Sequence, residues 1–290
     1  MTDAANLLSG LEEHHQTVRG CRVRAFCRTG IGPPLLLVHG YGGAAWNFSE
    51  LVPFLGDRPL IVPDLPGHGG SAPLPAASIG AFADVLAAQI LATGLAEPVD
   101  VFGHSMGGVV ALRLAERRPE LVRRLVLAAA AGISSSTRLA ELTITAIGIV
   151  QPARIAGRRA DRIAGSRRLR RLLFGGYEVS NPDSLTERSV HGLLRGPTMH
   201  TDAIGAGKAL AAEDPRLDLD RVRCPVLVLS GARDRQVPLA DAFEYARRLH
   251  APLRLIADCG HLLISERPEV CARACISFLG GPSLGKAVLG

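Results

Sequence analysis

The sequence predicts an α/β protein with a doubly wound, mostly parallel sheet and an inserted helical cap. Short runs of consecutive apolar residues, typical of strands covered on both faces, alternate along the chain with longer segments of helical periodicity. The alternation breaks after Gly132 and resumes near residue 221. We therefore expect residues 1–132 and 221–290 to form one α/β core and residues 133–220 to form the cap.

Each predicted element has a local reason. The chain opens with an antiparallel hairpin, since two strand-like runs flank a short turn at Arg19 and Gly20. Ser78 is the expected N-cap of the first helix, and Pro119 is the expected end of the second. The predicted strands span residues 13–18, 22–27, 35–38, 60–62, 99–102, 125–127, 225–229 and 253–257. The predicted helices span residues 79–95, 106–118, 142–149, 184–194 and 239–249, with a last helix from Pro268.

Composition places the chain among ordinary globular proteins, since 47% of its residues are hydrophobic and 21% are charged. The N-terminus has no basic region followed by an apolar run, so we expect no secretory signal. No apolar run reaches the length of about 18 residues that a membrane span needs, so we expect no integral membrane association. The six cysteines show no metal-ligand spacing, which favours reduced thiols, a cytoplasmic location and no bound metal.

The net charge of +6 is concentrated in one stretch of the predicted cap. A nucleic-acid-binding face would carry interleaved aromatic residues, and only Phe174 and Tyr177 lie near this stretch, so we expect no nucleic-acid partner. A solvated cap face and a surface for an anionic partner or acidic substrate both remain open. The arginines are Arg154, Arg158, Arg159, Arg162, Arg167, Arg168, Arg170 and Arg171.

Ser105 is the candidate nucleophile. It lies in a Gly-x-Ser-x-Gly turn, residues 103–107, between a predicted strand and a predicted helix. The two glycines occupy positions where a side chain would collide with the strand and helix packed beside so sharp a bend. Such a turn exposes the serine hydroxyl and directs the backbone amide of Met106 towards an oxyanion formed on it.

A second glycine-rich loop, residues 39–43, follows the strand 35–38. Glycines let a backbone amide approach a substrate oxygen closely, and the amide of Tyr41 is the expected second oxyanion donor. We expect the His39 side chain to brace the loop. The turn at residues 64–71 is expected to be held by hydrogen bonds of Asp64 and Ser71 with the nearby backbone, with His68 in a structural role.

Several further residues are candidate substrate contacts. Gly42 and His104 belong to the two catalytic turns, and Trp46 follows the first of them, although packing explains Trp46 equally well. For every candidate in the cap, a place on the surface or in the core is an open alternative to substrate contact. The cap candidates are Tyr177, His191, Met199 and His200.

Asp234 and His261 are the candidate acid and base. A serine hydroxyl needs a base to remove its proton, and histidine, which titrates near neutrality, suits this role. A carboxylate on the other ring nitrogen fixes the tautomer of the base. Asp234 and His261 both follow predicted strands, and the order Ser105, Asp234, His261 distinguishes this arrangement from other serine-triad folds.

These motifs resemble the α/β-hydrolase family, in its cap-bearing branch of esterase-like and lipase-like serine hydrolases. The resemblance implies hydrolysis of a carboxylic ester of a small acyl substrate through an acyl-enzyme on Ser105, with no cofactor. It implies that the amides of Tyr41 and Met106 hold the tetrahedral intermediate. Relatives with an aspartate nucleophile, such as epoxide hydrolases and haloalkane dehalogenases, are disfavoured because the turn carries serine.

Two alternatives stay open. A carbon-carbon bond hydrolase acting on a vinylogous diketone uses the same triad and cap. A ligand receptor of this fold keeps the triad but uses the cap as a switch. Acyl and alcohol specificity depends on cap residues, and the sequence does not give their positions. The oligomeric state is also undetermined.

Overall fold

The computed structural model describes residues 7–95, 97–136 and 152–281. Within them one eight-stranded sheet has helices on both faces, which confirms the predicted fold class. The helix predicted over residues 142–149 lies outside the described residues. No helix in the described ranges is long and apolar enough to cross a membrane.

The strands run in the order β1-β2-β4-β3-β5-β6-β7-β8 across the sheet. β1 pairs with β2, and β2 with β4, in antiparallel fashion, and every later pairing is parallel. The parallel strands therefore end at one edge of the sheet, where ligand sites of this architecture form. The strands are β1 Glu12–Val18, β2 Cys21–Arg28, β3 Leu35–Val38, β4 Leu60–Pro63, β5 Val99–His104, β6 Val122–Ala128, β7 Val226–Gly231 and β8 Leu253–Ile256.

The consecutive apolar runs form strands because both faces of the sheet are covered. Every residue of β3, β4, β5 and β7 is buried. Leu36 and Val38 face a core shared with Phe82 and Tyr245, whereas Leu35 and Leu37 face a second core that contains Cys271 and Cys275. The two cysteines thus fill apolar space, and none of the six cysteines, all within the described ranges, forms a disulfide.

In the described part of the α/β core we find five α-helices: α1 Ile79–Ala92, α2 Met106–Arg117, α8 Leu239–Arg248, α9 Leu263–Glu266 and α10 Pro268–Gly280. The Ser78 side chain caps α1 by accepting a hydrogen bond from the Ala81 amide at 3.1 Å. α1 ends at Ala92 rather than at the predicted residue 95, because Gly94 adopts a φ of +70° and turns the chain.

The segment predicted as the cap, called the cap below, lies between β6 and β7, and its described residues form five α-helices. They are α3 Pro152–Gly157, α4 Ala160–Ala164, α5 Arg167–Phe174, α6 Glu187–Thr198 and α7 Ala203–Ala211. The helix predicted over 184–194 is observed as α6. It begins at Glu187 because the Thr186 side chain caps it by accepting from the Ser189 amide at 3.0 Å. Ile163, Val190 and Leu194 are buried together in a small core made of cap residues and of Leu262, which follows β8.

Candidate active site

Ser105 lies at the junction of β5 and α2 in a strained backbone conformation. Its φ is +54° and its ψ is −122°, a combination that residues other than glycine rarely adopt. A Cβ on Gly103 would lie 2.4 Å from the Gly107 carbonyl oxygen, and one on Gly107 would lie 2.2 Å from that of Val38. Both glycines are therefore required for the sharp turn that holds Ser105 in this conformation.

The glycine-rich loop after β3 lies directly against Ser105. A Cβ on Gly40 would come within 2.9 Å of the Ser105 Cβ, so only glycine allows this approach. The Ser105 amide donates to the Ala128 carbonyl at 2.9 Å, which fixes the turn to β6. Met106 is the first residue of α2, and amides at a helix N-terminus have no partner inside the helix, so the Met106 amide is available to a ligand.

Asp234 and His261, which the sequence separates by 26 residues, meet at the carboxyl edge of the sheet. His261 Nδ1 lies 2.9 Å from Asp234 Oδ2. A carboxylate oxygen only accepts, so Nδ1 carries the proton and Nε2 keeps its lone pair. The other carboxylate oxygen, Oδ1, accepts from the amides of Gln236 at 2.8 Å and Val237 at 2.9 Å. The tautomer of His261 is therefore the one that a general base requires.

The electrostatics of Asp234 favour its ionised form. Burial by itself raises the pKa of this carboxyl, but the hydrogen bond and charge of His261, together with the two backbone amides, outweigh burial. The pKa of Asp234 therefore lies below its ordinary value, and the group is an anion at neutral pH.

His104 packs against the candidate base. The His104 and His261 rings are 5.1 Å apart between centroids, and His104 Nε2 donates to the His261 carbonyl at 3.0 Å. Burial first, and the charge of His261 second, lower the pKa of His104 to about 3, so the ring is neutral. The sequence predicts His104 as a substrate contact, and this stays a prediction; in the structure its ring is hydrogen-bonded to the backbone of His261.

Three buried histidines form a cluster in which neighbouring rings meet at tilted or edge-on angles. The ring centroids of His39 and His68 are 5.2 Å apart, and those of His68 and His200 are 4.9 Å apart. Each ring accepts one backbone amide hydrogen: His39 Nε2 from Leu65 at 2.9 Å, His68 Nε2 from Gly42 at 3.4 Å, and His200 Nδ1 from Gly69 at 3.0 Å.

Burial is the largest cause that lowers the pKa of all three rings, and it lowers that of His200 to about 4. The expectation that His39 and His68 are structural agrees with these contacts. Because His200 belongs to the cap, this histidine cluster also attaches the cap to the core.

Asp64 binds residues outside its own turn in addition to the local backbone contacts that the sequence predicts. Its carboxylate accepts from the Gly70 amide at 2.8 Å, from the Ala45 amide at 2.8 Å and from Arg24 Nε at 2.6 Å. The Arg24 guanidinium in turn lies 4.4 Å from the Trp46 ring centroid. Sequence reasoning missed Arg24, because its partner lies 40 residues away and no local motif marks the pair.

The remaining candidate substrate contacts occupy varied positions. Trp46 is buried against Arg24. Tyr177 is 52% exposed and Met199 is 41% exposed, whereas His191 is buried with Nε2 at 3.6 Å from Asp161. Gly42 adopts a φ of +67°, which explains a glycine there. In the described ranges no group of histidine, cysteine and acidic side chains could hold a metal ion.

Sequence reasoning also missed Glu266, which is buried at the end of α9. Its carboxylate accepts three backbone amide hydrogen bonds, one from Gly260 and two from the cap residues Ser180 and Asn181. A glutamate five residues after the candidate base is visible in the sequence, but its cap partners lie about 85 residues earlier.

A family model described as the alpha/beta hydrolase fold matches residues 33–268 of the chain. The chain therefore belongs to the α/β-hydrolase family, and it is an enzyme of the hydrolase class. The match includes all of the parallel strands and all three predicted catalytic residues.

Curated relatives and solved structures agree with this assignment. The chain is similar to a pimeloyl-[acyl-carrier protein] methyl ester esterase of Aromatoleum aromaticum, with 35% identity over 83% of this chain and 95% of that protein. A protein of the same description from Neisseria meningitidis serogroup B is 33% identical over 84% and 92% of the two chains. A thermophilic esterase from Thermogutta terrifontis shares the fold, with a TM-score of 0.69, 24% identity and coverage of 93% and 98%.

Proposed function

We propose that the protein hydrolyses carboxylic esters through an acyl-enzyme on Ser105, with His261 as general base and Asp234 orienting it. The observation that carries the proposal is the 2.9 Å contact between His261 Nδ1 and Asp234 Oδ2, because it leaves the basic Nε2 of His261 free to accept a proton. The strained turn that presents Ser105 supports the assignment of this serine as nucleophile.

In the proposed reaction, His261 Nε2 removes the Ser105 hydroxyl proton as the oxygen attacks the ester carbonyl. The electron pair of the carbonyl moves onto its oxygen, which the amides of Tyr41 and Met106 bind. The intermediate collapses to the acyl-enzyme, and the imidazolium gives its proton to the leaving alkoxide. A water molecule then attacks the acyl carbon while the same nitrogen takes its proton, and this proton passes to the Ser105 oxygen as the acid leaves. Each oxyanion donor contributes about 3 kcal/mol of transition-state stabilisation.

The proposed substrate is the ester of an acyl chain borne on an acidic carrier. The two relatives described above are named as esterases of a pimeloyl-[acyl-carrier protein] methyl ester, an acyl chain borne on a carrier protein. The cap of this chain carries positive charge, which complements an acidic carrier, since residues 154–171 contain eight arginines and a single acidic residue, Asp161. Charge complementarity of this kind raises the rate of encounter with an acidic protein.

Two assays test the proposal. We expect wild-type protein to turn over p-nitrophenyl acetate repeatedly and the Ser105→Ala variant to lose that activity while keeping its fold. Undiminished activity of the variant contradicts the assignment of the nucleophile. Repeated turnover of the ester argues against a receptor, and preferential cleavage of a vinylogous diketone over esters would favour the carbon-carbon bond hydrolase instead.

The carrier is tested with matched substrates. We expect the methyl ester of a carrier-bound acyl chain to have a higher kcat/KM than the same ester free in solution. The double substitution Arg158→Glu and Arg168→Glu is expected to abolish that preference without changing p-nitrophenyl acetate hydrolysis. Arg254→Glu, which reverses an exposed charge on β8, is the control. Equal kcat/KM for free and carrier-bound esters contradicts the carrier assignment alone.

A further inference from the structure

Glu266 joins the loop of the candidate base to the cap, and we propose that it is a positioning residue for His261. It acts through the backbone of the loop and does not touch the reacting atoms. The proposal rests on the proposed function, because it concerns the geometry of the same site, but two of its tests below need no turnover.

The geometry of the carboxylate carries the proposal. Glu266 Oε2 accepts from the Gly260 amide at 2.7 Å and from the Ser180 amide at 3.1 Å, and Oε1 accepts from the Asn181 amide at 2.7 Å. Gly260 immediately precedes His261, and the two other donors belong to the cap. One side chain thus binds the catalytic loop and the cap at once.

No cationic side chain competes for this carboxylate. In the described part of the chain Glu266 forms no ion pair, although it is only 4% exposed. Its oxygens accept from three backbone amides, and the Cys259 thiol is a further hydrogen-bond partner. Since a buried polar group needs partners and this carboxylate has no counter-charge, we infer that the hydrogen bonds from these three amides hold it in place.

The cap segment approaches the catalytic loop too closely for any other residue at position 260. A Cβ on Gly260 would lie 2.8 Å from the Ser180 nitrogen and 3.0 Å from the Glu178 carbonyl oxygen. The Glu178 carbonyl also accepts from the Leu262 amide at 3.1 Å. The residues on both sides of His261 are therefore hydrogen-bonded to a cap segment or to the side chain that holds it.

The consequence concerns the His261 ring. Its Nδ1 must stay within hydrogen-bond distance of Asp234 Oδ2, and its carbonyl is already bound by His104. With glutamine at position 266, one acceptor oxygen would remain for three backbone amides, so at least one of them would face the side-chain NH2 group and the contact between the loop and the cap would shift. A displacement of about 1 Å at a reacting group can reduce the rate about 10²-fold.

The first test substitutes Glu266→Gln, which keeps the shape of the side chain but replaces one acceptor oxygen with a donor. We expect kcat for p-nitrophenyl acetate to fall about 10²-fold with KM changed by less than about 3-fold, since the loss concerns the transition state. The low-field proton resonance of His261 Nδ1 should also shift or broaden. Glu266→Asp keeps the charge, so we expect it to recover part of kcat.

The control is Glu116→Gln, which also neutralises a buried carboxylate, one that is bound by Arg113 at 2.7 Å in α2. It should lower thermal stability but leave kcat and the His261 resonance unchanged. A folded Glu266→Gln protein with kcat within about twofold of wild type and an unchanged resonance overturns the proposal.

The last test uses wild-type protein and so does not depend on any variant folding. Hydrogen exchange of the Gly260, Ser180 and Asn181 amides should show equal protection, because one carboxylate holds all three. Much faster exchange at Ser180 and Asn181 than at Gly260 would show that the cap and the catalytic loop open independently, which overturns the coupling. If wild-type protein had no esterase activity, that result would count against the proposed function, and the hydrogen-exchange measurement would still test the contact between the loop and the cap.

Discussion

The substitution Asp234→Asn tests the acid and base assignment, because the structure determines which way the new amide must face. Asp234 Oδ1 accepts from the amides of Gln236 and Val237, and only the oxygen of an asparagine can replace it there. The amide nitrogen must then face His261 Nδ1, where it donates a hydrogen. The proton of the neutral ring moves to Nε2, and the ring loses the lone pair with which it would accept the Ser105 proton.

The expected magnitude follows from this change of tautomer. In the serine protease where the equivalent change is the reference case, kcat falls about 10⁴-fold with the geometry intact. We expect a decrease of the same order here, which corresponds to about 5 kcal/mol of lost transition-state stabilisation. KM should change little, because the substrate contacts remain.

The assay is kcat for p-nitrophenyl acetate at pH 7 to 8, with circular dichroism as the check of folding. The matched control is Asp241→Asn, which alters a carboxylate that is also buried and also binds a backbone amide, that of Ser134 at 2.9 Å. This control should keep kcat within a few fold of wild type. A folded Asp234→Asn protein that retains more than about a tenth of wild-type kcat refutes the tautomer argument.

Three further predictions concern stability. Gly107→Ala places a Cβ 2.2 Å from the Val38 carbonyl oxygen, so we expect a loss of about 3 kcal/mol in urea unfolding together with loss of activity; unchanged stability would mean that the turn relaxes freely. Ser105→Gly should be more stable than Ser105→Ala by about 1 kcal/mol, because glycine relieves the strain of a φ of +54°; equal stability would show that there is no strain. The pKa of His200, lowered to about 4, means that the unfolded chain takes up a proton first as the pH falls, so stability is full above about pH 6.5 and is lost towards pH 4. His200→Asn keeps an acceptor for the Gly69 amide and should remove about 3 kcal/mol of that pH dependence, measured by urea unfolding at both pH values; an unchanged dependence on pH would contradict the account.

Local signals predicted the core of the fold well. The apolar runs predicted the bounds of β3 correctly, and they predicted those of β4 and β7 to within one or two residues at the ends. Strands covered on both faces are apolar at consecutive positions, so their pattern is easy to recognise. The carboxyl edge of the parallel sheet explains why Asp234 and His261 could be expected to meet. The cap was harder to predict, since its helices are short and its packing partners lie on distant segments.

The contacts missed in the site share one physical property, which is the long separation of the two partners along the chain. Arg24 reaches Asp64 across 40 residues, and His200 reaches Gly69 across 131. Glu266 gave no sign of its cap contacts, because a buried glutamate and an exposed one look alike in a single sequence. Such residues support the loops around the candidate active site and do not belong to a local motif.

The most direct measurement of the central claim is the mass of the enzyme during turnover. Wild-type protein quenched with acid during hydrolysis of a p-nitrophenyl ester should gain the mass of one acyl group, located by peptide mapping on Ser105. The Ser105→Ala variant should gain none. Sustained ester hydrolysis with the acyl group on another residue, or equal labelling of the Ser105→Ala protein, would contradict the account.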